Sequence, residues 1–130
     1  MSAWYYVIDG NPAFLMEEDD AQPGRPLDWD AAMACVQGTG GTVDERGAEL
    51  ELPGLWVQVE PVDDGEDEEI RGVGFNVGTS GTGDDTEGMA QLVKLMLAVA
   101  DAVGGRAWSD DQQRWLALAD VDGARRGDPI

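Results

Sequence analysis

Histidine is absent from this chain, and cysteine and lysine occur once each, at Cys35 and Lys94. Each scarcity closes a class of chemistry. Without histidine, Ser-His-Asp and Cys-His mechanisms have no base, and with one thiol no ordinary zinc site assembles. A lone cysteine excludes an internal disulfide and carries no sign of an oxidising compartment. Its setting, Ala31-Ala32-Met33-Ala34-Cys35-Val36, is apolar and helical, so Cys35 is expected as a buried, inert core thiol. Long hydrophobic runs are missing too. The most apolar stretch, 92–100, is interrupted by Lys94 and is too short to span a bilayer. The N-terminus shows neither the basic region nor the apolar segment of a signal peptide, so the expectation is a soluble, cytoplasmic protein.

Positive charge is scarce as well. Eight Lys and Arg stand against 27 Asp and Glu, a formal net charge of −19. A field of that sign repels nucleic acid and anionic membranes and steers basic partners into fast encounters. Yet 42% of the residues are hydrophobic and five are tryptophan, which separates the chain from disordered acidic tails. Its 130 residues suit one domain, 1–130, with a core of its own.

Residues 3–9 are aromatic and β-branched and end at Asp9-Gly10-Asn11-Pro12, a strand followed by a turn. A long loop, 10–27, holds three prolines and the acidic run 17–20. Asp28 then caps a helix over 28–37, whose Trp29, Ala32, Met33 and Val36 share one face. Segments 42–45 and 48–52 flank a hairpin turn at Arg46-Gly47. In the next segment Leu55, Val57 and Val59 alternate with Trp56, Gln58 and Glu60. After the acidic link 63–69, Val73, Phe75 and Val77 point inward from a strand over 70–77. Asp84 or Asp85 caps a helix over 84–104, with apolar residues from Met89 to Val103 at helical spacing and Gly104-Gly105 as its stop. Residues 106–108 form a last short strand. Ser109-Asp110-Asp111-Gln112 has the spacing of a capping box, which predicts a helical turn or two over 113–119, and 121–130 reads as frayed. The sum is an α+β fold: an antiparallel sheet of four to five strands packed against one long helix, 84–104, and a shorter one, 28–37.

The glycine-rich 72–83 segment does not match G-x-G-x-x-G and no Lys-Ser/Thr follows it, so it is a flexible connection rather than a phosphate cradle. The acids of 63–69 do not reproduce a calcium loop. Neither a metal nor another cofactor is expected. A paired-carboxylate enzyme would need two acids held about 5–10 Å apart in a cleft, whereas most acids here fall in loops or at helix ends, so the chain reads as a non-enzyme. Partner contacts are expected from Asp63, Asp64, Glu66, Asp67, Glu68 and Glu69, and from Asp110, Asp111 and Trp115. Trp56 has two open placements: an exposed anchor ringed by acids, or a side chain tucked beneath the 10–27 loop. Trp4 and Trp29 are expected in the core.

The stretch Gly72–Val77, a loop, and the helix opening Gly88-Met89-Ala90-Gln91-Leu92-Val93-Lys94-Leu95 resemble the C-terminal half of immunity proteins that bacteria pair with polymorphic or contact-delivered toxins. The resemblance covers about residues 72–120. It implies a protein of bacterial competition that blocks a basic cognate toxin, often a nuclease or deaminase, and it transfers no contact residue. Two other readings stand beside it. Acidity is also a solvent adaptation in halophiles, and a small carboxylate enzyme would require a deep pocket around a perturbed acid.

Overall fold

The computed structural model describes residues 2–10, 25–62, 70–79 and 85–130. Among these residues seven strands form one sheet, antiparallel throughout: β1 (Ser2–Ile8), β2 (Thr42–Asp44), β3 (Gly47–Leu52), β4 (Leu55–Val62), β5 (Gly72–Thr79), β6 (Arg106–Ser109) and β7 (Arg114–Trp115). Their order across the sheet is β2-β3-β4-β5-β1-β6-β7, so the N-terminal strand is inserted between β5 and β6. Three helices accompany them, α1 (Trp29–Gly38), α2 (Thr86–Val103) and α3 (Ala119–Arg125).

Period-two alternation decides which side of the sheet is dry. Tyr5 and Val7, Ala48, Leu50 and Leu52, Leu55, Val57 and Val59, Val73, Phe75 and Val77 all face the same way and are buried. Against them pack Ala32, Met33 and Val36 of α1, Leu92, Val93, Met96 and Val99 of α2, and Val121 and Ala124 of α3. Each of the larger fully buried aliphatic or aromatic side chains contributes roughly 1.5–3 kcal/mol. All three helices therefore lie on one face.

Local chemistry sets the element ends. The Asp28 carboxylate accepts a hydrogen bond from the Ala31 N–H at 3.1 Å and caps α1 as expected. Asp44 Oδ1 accepts from the N–H groups of Arg46 and Gly47 at the β2–β3 turn. Asp85 occupies the N-cap position of α2 without a capping bond from its side chain, and Gly104 closes that helix in the left-handed region at φ 75°. Gly88 in the first turn of α2 lies against the β3–β4 turn, where a Cβ would collide with the Pro53 carbonyl oxygen.

Four sequence expectations are corrected. The sheet has seven strands rather than four to five. Ser109 Oγ does accept from the Gln112 N–H, as a capping box requires, but the chain turns through Gln113 at φ 52° and returns as β7 instead of entering a helix. The end of the chain is not frayed: α3 spans Ala119–Arg125, Ile130 is buried, and Tyr5 Oη donates to the Ile130 carbonyl at 3.0 Å. Cys35 is half-buried at the rim of the core, not sealed within it, with Sγ 4.0 Å from the Ala98 carbonyl.

Candidate functional site: the open face of the sheet

The side of the sheet away from the helices carries no helix among the described residues. Pairing register places its side chains in rows. Glu49 and Glu51 of β3 lie opposite Gln58 and Trp56 of β4. Trp56, Gln58 and Glu60 lie opposite Gly78, Asn76 and Gly74 of β5, and Asn76 and Gly74 lie opposite Trp4 and Tyr6 of β1. Tyr6 then faces Trp108 of β6, which faces Trp115 of β7.

On the β1–β6–β7 side the aromatic groups engage one another. Trp4 and Tyr6 stack at 5.8 Å between centroids, and Trp108 and Trp115 meet edge to face at 5.1 Å. The Arg106 guanidinium lies over the Trp115 ring with Cζ 4.1 Å from its centroid, a cation–π contact made within the chain. The Tyr6 hydroxyl is pushed above its ordinary pKa by burial and by the nearby Asp110 and Glu60 carboxylates.

The β3–β4 side is different. Glu49, Glu51 and Gln58 are exposed, and Trp56 keeps 39% of its surface open to solvent. Among the described residues no ring or cation stacks on Trp56. Between the halves runs β5, whose outward positions are mostly glycine. Ile8 and Val62 crowd the space over Gly72, and Val62 and Trp4 border that over Gly74. Over Gly78 no heavy atom of the described residues lies within 4 Å of where a Cβ would sit. Asn76 Oδ1, on the same row, is buried with no hydrogen-bond partner.

The structure divides the sequence-predicted contacts. Trp56 and Trp115 share the open face, and Trp56 takes the exposed placement of the two that were open. Asp110 joins them, its N–H donating to the Trp4 carbonyl at 3.2 Å and its carboxylate acting on Tyr6. Asp111 goes to the other side. It lines a cavity of about 340 Å³ with Tyr5, Val77, Met89, Ala124 and Ile130 beside the start of α2. There burial, then Asp111, pushes the Tyr5 hydroxyl up to about 12, with Arg114 opposing. Asp63, Asp64, Glu66, Asp67, Glu68 and Glu69 lie outside the described residues. Trp4 is not a core residue: its neighbour Tyr5 takes the inward position and Trp4 stands half-buried on the open face. Trp29 is half-buried against the core.

Sequence reasoning missed Glu49, Glu51 and Gly78. The signal for the two glutamates was present, since in Ala48-Glu49-Leu50-Glu51-Leu52 the acids alternate with the inward residues. Among the described residues no three His, Cys, Asp or Glu side chains gather as metal ligands would, and no helix is long and apolar enough to cross a membrane. What this face offers chemically is negative charge around an uncovered indole, a combination suited to cations. No protein-family model matches the chain, and no curated protein sequence matches it.

Proposed function

We propose that this protein is a non-enzymatic, immunity-type inhibitor that acts in the cytoplasm, binding a basic cognate toxin and occupying its active-site cleft. The observation that carries the reading is the exposed Trp56 beside Glu51 and Glu49, with Glu60 farther along the same row, on a face that carries no helix among the described residues. Interfaces concentrate their energy in such aromatic anchors, and the surrounding acids together with the net charge of −19 supply long-range attraction to a basic groove. The acidic run 63–69, which joins β4 to β5 in sequence, adds to that attraction. A nuclease or deaminase fits as target because its substrate groove is positive where phosphates run.

The test starts from the neighbouring open reading frame. Its product, expressed alone, is expected to arrest growth, and co-expression of this protein to restore it. With both purified, neutralising Glu49, Glu51 and Glu60 to Gln slows association by about ten-fold at low salt and changes dissociation less. A neighbour that is harmless, or a protein that folds only in molar potassium chloride, overturns the reading in favour of halophilic adaptation.

A further inference from the structure

We infer that the space over Gly78 is a slot for one arginine side chain of the basic partner, its guanidinium lying against the Trp56 indole. The inference rests on the binding reading above and specifies the residue type that the open face selects.

Gly78 is the starting point. Glycine within a strand weakens it and needs a reason. Gly72 has one, because Ile8 and Val62 crowd the point where its Cβ would sit at 3.0 and 3.4 Å, and at Gly74 the same point meets Val62 and Trp4 in ordinary contact at 3.4 and 3.5 Å. Gly78 has neither among the described residues: its φ is outside the left-handed region, and none of their heavy atoms lies within 4 Å of a Cβ placed there. A strand glycine that neither backbone nor packing demands marks a place where something else approaches. Directly across from it stands Trp56, the exposed indole. Glu51 is directly across from Trp56 on its other side, with Glu49 one step along the face, within the roughly 5–8 Å at which cross-strand groups interact.

The molecule shows which cation suits this arrangement. At Trp115 the ring is covered by the guanidinium of Arg106 at 4.1 Å. Trp56 has the same ring, Glu51 directly across from it and no cation of its own among the described residues. A planar guanidinium stacks on an indole and sheds water more readily than an ammonium, so arginine is favoured over lysine.

Nona-arginine and nona-lysine serve as probes, titrated calorimetrically into the wild-type protein and into Gly78→Val and Trp56→Leu at ~0.15 M salt. Wild-type protein is expected to bind the arginine peptide about three- to five-fold tighter than the lysine peptide. Gly78→Val fills the slot with a residue that strands favour, and thermal unfolding checks that it remains folded. It should abolish the arginine preference and leave lysine affinity unchanged, and Trp56→Leu should do the same. Equal affinity of the wild-type protein for both peptides overturns the slot while leaving the acidic face as a basic-partner surface. So does an arginine preference that survives in either folded variant. Binding of neither peptide overturns both.

Discussion

On the β1–β6–β7 side of the open face, Trp4 lies on Tyr6, Trp108 meets Trp115, and Arg106 covers Trp115. On the β3–β4 side, Trp56 is exposed beside glutamates, with no ring or cation of the described residues on it and none of their atoms over Gly78. The two halves use the same residue types on the same pleated surface. One spends its aromatic and cationic chemistry internally and so adds to folding, while the other leaves it unspent. A tryptophan on a sheet therefore says little by itself. Whether its face is already occupied by the chain decides between a structural and a binding role.

Truncation separates the halves most widely. Trp108→Ala removes an edge-to-face contact and a half-buried ring, and is expected to cost about 2–3 kcal/mol in urea unfolding. Trp56→Ala, which removes a side chain that keeps 39% of its surface in solvent and makes no ring contact among the described residues, should cost less, about 1 kcal/mol. Equal losses would erase the distinction. Arg106→Met keeps an unbranched stem on Trp115 but discards the charge, so stability should fall by about 0.5–1 kcal/mol, less at high salt. An unchanged midpoint would mean that Trp115, too, is free to take an external cation.

The smallest effect probes the seam. Glu60 on β4 and Asp110 beyond β6 both hold the Tyr6 hydroxyl above its ordinary pKa, after burial. A raised folded-state pKa contributes stability that is complete below the unfolded value of 10.0 and disappears as pH climbs through the folded value. In a Tyr5→Phe background, where Tyr6 is the remaining tyrosine, Glu60→Gln should move phenolate formation to lower pH. No movement would show that the two halves are electrostatically insulated across Gly74.

Most of the fold was legible where a period and a stop signal agreed. Asp28 with the Trp29/Ala32/Met33/Val36 stripe located α1, and Leu55/Val57/Val59 located both β4 and its inward face. The C-terminal segment was not legible. Ser109-x-x-Gln112 makes its hydrogen bond equally well in a turn that reverses a strand, and the positive φ at Gln113 has no marker in a residue type that seldom adopts it. The seven residues of α3 include Gly123, a poor local case for a helix. That helix is set instead by contacts from Val121 and Ala124 into the core. Trp4 was misassigned because Trp4, Tyr5 and Tyr6 are all large aromatics, so composition alone does not give the phase of the alternation. Nor do the next residues, since Val7 and Ile8 are both apolar and both fully buried; the pairing of Tyr5 with Phe75 and of Val7 with Val73 does. The site was half legible: the outward phase of Trp56 follows from Leu55/Val57, while the vacancy over Gly78 depends on neighbours from two other strands.

The close fit of Gly88 to the Pro53 carbonyl has a consequence for the other side of the sheet. It clamps the β3–β4 turn between α2 and the strands, with Leu55 Cδ1 3.2 Å from the same point and Leu55 itself buried. Trp56 is the next residue, so its backbone is preorganised before any partner arrives. An incoming side chain meets a wall already in its bound position, and no free energy is diverted into ordering a loop. For the proposed arginine slot this means that capture is limited by encounter, and that the residence time of a complex would be set by how readily the slot is vacated.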